Sequence, residues 1–89
     1  MIERETEIVN RLGLHARAAA KLVHTAGAFQ SRVMISKDGE DVDAKSILGV
    51  LLMAAGQGTK IIIRCDGKDE EAAMKAVTDL IANRFDEES

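Results

Sequence analysis

Hydrophobic and polar positions follow two periods along this chain, and each change of period marks an element. Residues 2 to 9 alternate loosely, with Ile2, Thr6 and Ile8 on one side and Glu3, Glu5 and Glu7 on the other, which predicts a half-exposed strand. From Ala16 to Ala26, the residues Ala19, Leu22, Val23 and Ala26 recur at helical spacing and predict one buried face, with Gly27 placed to end the helix. Arg32 to Lys37 returns to alternation around Val33 and Ile35. The pair Asp38-Gly39 then predicts a tight hairpin into a short strand at Glu40 to Asp43. Ser46 has the chemistry of an N-cap for a short helix through about Ala55, with Gly56-Gln57-Gly58 as its exit. Lys60 to Asp66 predicts another strand and Gly67 a turn. A final helix from about Asp69 to Arg84 would bury Ala73, Ala76, Val77, Leu80 and Ile81.

The predicted order is β-α-β-β-α-β-α, an α+β chain whose helices cover one face of a small antiparallel sheet. The same order suits a ferredoxin-like domain with an extra terminal helix, and periodicity does not choose between strand orders. No linker or repeat interrupts the 89 residues, so residues 1–89 read as a single domain.

Composition removes several function classes. Twelve basic against 15 acidic residues leave a net charge of -3, no footprint for nucleic acid. Phe29 and Phe85 are the only aromatic residues, too few for a base-stacking platform. The opening MIERETE is acidic where a secretory leader would be basic and then apolar, and the apolar run Ile47 to Ala55 is too short to span a bilayer. Cys65 has no second cysteine to pair with and alternates with Ile61 and Ile63, as a packed thiol would. These features predict a cytoplasmic protein that contacts neither membrane nor nucleic acid.

The stretch GLHARAAAK, residues 13 to 21, places His15 where the first helix begins. Ser, Thr, Asp or Asn would cap that end better than histidine. The backbone N–H groups of Ala16, Arg17 and Ala18 lack intrahelical acceptors there and, with the positive end of the helix dipole, form a site for an anion. Arg17 would add a charge-assisted hydrogen bond to a phosphate. A nucleophile, an oxyanion cradle and a cation are the parts that phosphoryl transfer uses. The plainer reading is a surface histidine filling a cap position. A metal site is disfavoured, because His24 lies nine residues on, about 13 Å along the axis and out of phase. His24 reads as a solvated residue near the helix C-terminus.

The second feature is KSILGVLLMAAGQG, residues 45 to 58. A short helix carrying Ile47, Leu48, Val50, Leu51, Leu52 and Met53 is apolar nearly all round. Either loops cover its outer side or that side is a docking surface.

Taken together, GLHAR, Phe29, the Asp38-Gly39 hairpin, KSILGV and the acidic start of the last helix resemble the HPr family, the histidine-containing phosphocarriers of the bacterial phosphotransferase system. The resemblance covers almost the whole chain and implies an open-faced β-sandwich of four antiparallel strands with three helices on one face. It implies that His15 accepts a phosphoryl group on Nδ1, as pros-phosphohistidine, from phospho-Enzyme I with Arg17 assisting. The group would then pass to an EIIA-type component, making the chain a carrier and not an enzyme. The family also implies docking through Ile47, Leu48, Leu51 and Ala20, and a regulatory phosphorylation at Ser46 by an HPr kinase/phosphorylase. A monomer without cofactor or metal is expected. The family usually has proline after the motif's arginine, where this chain has Ala18, which leaves one more backbone donor facing the phosphate. NRLGLHARAA and the tail FDEES resemble the nitrogen-related branch as well, so a sugar or a regulatory branch stays open. Two other readings remain: a regulatory protein whose His15 and Ser46 phosphorylation selects its targets, and a ferredoxin-like small-molecule sensor.

Overall fold

A computed structural model describes the whole chain, Met1–Ser89. Its elements are β1 (Ile2–Glu7), α1 (Ala16–Gly27), β2 (Arg32–Lys37), β3 (Glu40–Asp43), α2 (Ile47–Met53), β4 (Lys60–Asp66) and α3 (Glu70–Ala82), followed by a 3-10 turn at Arg84–Asp86. The four strands form one sheet in the order β1-β4-β2-β3, and every neighbouring pair is antiparallel. That order separates the expected open-faced sandwich from the other topologies that the element order allowed.

The run Lys60-Ile-Ile-Ile-Arg-Cys makes β4 an interior strand, hydrogen-bonded to β1 on one side and β2 on the other. Ile61, Ile63 and Cys65 of β4, with Val33 and Ile35 of β2, are fully or almost fully buried under the helices. Burial pushes the Cys65 thiol up. On the outer face Arg64 reaches Glu3 of β1 at 2.8 Å and Asp41 of β3 at 3.1 Å, tying the two edges of the sheet together. The hairpin turns at Asp38 and Gly39, both at positive φ (52° and 84°), the geometry that matches strand twist in a two-residue loop.

Several element ends differ from the expectation. β1 stops at Glu7, although Ile8 is wholly buried and still donates to Thr59 opposite it, because the Ile8 carbonyl accepts from Gly58 and so breaks the ladder. Gly27 lies inside α1, whose capping residue Ala28 keeps right-handed geometry. α2 ends at Met53, and it is Ala54, at φ 52°, that turns left-handed. α3 buries Ala73, Met74, Val77 and Ile81, leaving Ala76 and Leu80 half-buried, and it ends at Ala82 rather than Arg84. Arg84, Phe85 and Asp86 then take φ of 57°, 54° and 64°, which drops Phe85 completely into the core. The helical period ran through these residues, but burying the lone aromatic of the tail required the chain to break its helix.

The α1–β2 connection is fastened to the start of α3. Asp69 accepts from the backbone N–H groups of Gln30 and Ser31, both at 2.9 Å, and from the Ser31 hydroxyl. The Ser31 hydroxyl, with these amides, holds the Asp69 carboxyl below its usual range.

Candidate functional site

Residues 8 to 15 carry the chain from β1 to α1, and their path sets His15 in place. Gly13 has φ +67°, and a Cβ there would meet the Ala55 carbonyl oxygen at 2.5 Å and the Gly56 Cα at 2.7 Å. Only glycine allows this approach, which lets Leu14 donate to Ala55 at 2.8 Å and pack into the core. Asn10, wholly buried, braces the loop by donating from Nδ2 to the Gly13 carbonyl at 2.9 Å.

His15 is the N-cap of α1, with extended backbone at φ -74°, ψ -179°. Its carbonyl accepts from Ala19 at 2.8 Å, starting the helix. Its Nδ1 accepts from the Arg17 backbone N–H at 3.3 Å, so the ring is both cap and candidate nucleophile. Of the three donors expected to stand open, Arg17's is therefore engaged by the ring itself. At 3.3 Å the contact is long and weak. Ala18 keeps its N–H at the helix start while its methyl is completely buried.

A residue absent from the sequence expectation completes the site. Glu87, just beyond the turn that buries Phe85, places Oε2 at 2.5 Å from His15 Nε2. Its Oε1 accepts from Asn10 Nδ2 at 3.0 Å. The Asn10 amide, with smaller help from His15 and the Arg17 charge, holds the Glu87 carboxyl below its usual range. In the sequence FDEES stands out only as an acidic tail, and the one available signal was Phe85, an aromatic residue stranded among charges. Its burial anchors the segment, and Lys21 Nζ donates to its carbonyl at 2.8 Å.

Arg17 and Ala20 are exposed on the outward side of α1, and His24 is exposed near its end, apart from this cluster. No group of His, Cys, Asp and Glu side chains has the arrangement of a metal site.

α2 packs against α1 and buries Val50. Ser46 caps it, its Oγ accepting from Gly49 N–H at 3.2 Å. Loops do not cover the outer side of this helix. Ile47, Leu48, Leu51 and Leu52 are 43%, 63%, 37% and 75% exposed, and Leu12, from the loop before His15, is 66% exposed. Leu12 was not singled out from the pattern, and Leu52 only as a member of the apolar helix, since exposure of an apolar side chain is decided by neighbours distant in sequence. The outcome is an apolar patch borne by α2, while Leu12 stands exposed beside Arg17, Lys21 and Glu87. No helix is long and apolar enough to cross a membrane.

The chain is similar over its whole length to known proteins. The family model for the PTS HPr component phosphorylation site matches residues 2–83. A phosphocarrier protein HPr from Xylella fastidiosa is 54% identical over 89 residues, covering all of both chains. The crystal structure of HPr-C-His from Thermoanaerobacter tengcongensis superposes with a TM-score of 0.97 at 45% identity, covering all of both chains. A crystallised HPr dimer from the same organism gives 0.79 at 45% identity, covering 98% of this chain and all of the other.

Proposed function

This chain belongs to the HPr family of phosphocarriers, and from that premise we propose that it takes its phosphoryl group on Nδ1 of His15 from phospho-Enzyme I and delivers it to an EIIA-type component. The observation that carries the reading is the direction of the ring: Nδ1 faces the open end of α1 and Nε2 faces a carboxylate. In each transfer a bond from phosphorus to the donor breaks as one to the acceptor forms. His15 is first acceptor and then donor, so the chain is a carrier that ends the cycle unchanged. The dipole of α1, its free amides and the exposed Arg17 guanidinium stabilise charge on the phosphoryl oxygens as they move. The apolar patch on α2 and Leu12 would seat both partners in turn in the cytoplasm. That His15, Arg17, Glu87 and this patch all come from one chain supports a monomer as the working unit.

Ser46 supports a regulatory layer on the same reading, since it caps α2 beside Ile47 and could be modified by a kinase without breaking the core.

Intact-mass analysis after incubation with Enzyme I and phosphoenolpyruvate tests the proposal. One phosphoryl group, labile to acid and stable to base, is expected on the parent and none on His15→Ala. Labelling that survives in His15→Ala would move the assignment elsewhere, with His24 as the remaining histidine.

A further inference from the structure

The carboxylate of Glu87 lies at the ring edge opposite the nitrogen that faces the helix start. We infer that Glu87 is the positioning residue of His15, holding the ring hydrogen on Nε2 so that the free lone pair sits on Nδ1. This deepens the carrier reading and rests on it for its consequence in transfer.

Two independent contacts agree on the tautomer. An ionised carboxylate only accepts, so the nitrogen 2.5 Å from Glu87 Oε2 must carry a hydrogen. The Arg17 backbone N–H only donates, so Nδ1 must offer a lone pair to it. Glu87 is in turn oriented by Asn10, whose Nδ2 donates both to Oε1 of Glu87 and to the Gly13 carbonyl. Both neighbours are acceptors, which fixes the Asn10 amide and leaves its buried Oδ1 without a partner. The structure accepts that unpaired atom, together with three consecutive non-glycine residues at positive φ, and the result is a carboxylate delivered to His15.

The consequence for transfer balances without a base. The Nδ1 lone pair forms the new N–P bond while the donor keeps the electron pair of the bond that breaks. The hydrogen stays on Nε2, and the positive charge left on the ring faces the Glu87 carboxylate. Glu87 touches His15 and not the phosphoryl group, so it acts through the ring. Other charges nearby are the exposed Arg17, Asp86 and Glu88 and the half-buried Lys21, which is occupied with the Phe85 carbonyl and Asp86.

Glu87→Gln gives a test that a purely structural role would not pass. Asn10 would retain the amide oxygen of the glutamine, turning its NH2 toward Nε2, where it competes with the Arg17 N–H for the ring's single lone pair. Nitrogen-15 NMR of the His15 ring, without any phosphoryl donor, should show the Nε2–H tautomer in the parent, a small Nδ1–H fraction in Glu87→Ala and a clearly larger one in Glu87→Gln. With phosphorylated Enzyme I, kcat should fall about tenfold or more in Glu87→Gln and less in Glu87→Ala, with KM unchanged. Glu88→Gln, at an exposed position next along the tail, should match the parent. A tautomer ratio in Glu87→Gln unchanged from the parent, or transfer as fast as in the parent, would overturn the inference. A parent chain left unlabelled by Enzyme I overturns the carrier reading instead, and the tautomer measurement still decides the role of Glu87.

Discussion

Glu87 and His15 stand 72 positions apart in the chain, yet their side chains meet at 2.5 Å. The contact exists because Phe85 is pulled into the core and the backbone after α3 turns left-handed to allow it. Burial of one aromatic ring at the end of the chain thus sets the surroundings of a histidine near its beginning.

Arg17→Ala should slow phosphorylation of His15 by about a hundredfold, because the guanidinium meets charge that develops on the moving phosphoryl group. Arg17 is exposed, so stability should change by less than about 0.5 kcal/mol. Rapid-quench transfer rates set beside a melting curve separate the two effects, and an unchanged rate would remove Arg17 from the site.

Leu48→Glu should impair both receipt and delivery of the phosphoryl group while the melting temperature holds, since Leu48 is 63% exposed. Leu22→Ala, in the core, makes the contrast: it should cost roughly 2–5 kcal/mol by opening a cavity. If Leu48→Glu melts early as well, packing and not docking explains the residue.

Ser46→Asp should slow phosphorylation by Enzyme I by about tenfold through charge placed beside Ile47 and Leu48, and added salt should restore part of the rate. Aspartate caps a helix as well as serine does, so the melting temperature should not fall. A variant phosphorylated as fast as the parent would reduce Ser46 to a cap.

Asp69→Asn should make stability less dependent on acid. The folded-state carboxyl lies below its ordinary value of 3.8, so its contribution is present above that value and is lost as pH falls through the lower, folded one. The parent should therefore be the more stable at neutral pH, and the two melting-temperature curves should converge as pH drops below 3.8. Parallel curves would show that the clamp on Gln30 and Ser31 contributes nothing through its charge.

Much of this protein was legible before folding. The alternation around Val33 and Ile35, the Asp38-Gly39 turn and the strand at Lys60 to Asp66 are local, and each appears at the expected residues. His15 at the start of α1 and Ser46 at the start of α2 were likewise readable, because caps are decided by the few residues that follow them. The bare side of α2 was not legible, since both readings of the apolar helix satisfy the same periodicity, and Leu12 lies in a loop with no period to read.

What the sequence determined by itself was the set of elements and the nucleophile at a helix end, both governed by interactions within a few residues. Tertiary structure alone decided the strand order, the bare side of α2 and the pairing of Glu87 with His15. Each of these depends on which distant segments share the core. The helical period of α3 even pointed past Ala82, and only the burial of Phe85 in the core ended that helix and turned Glu87 toward the ring.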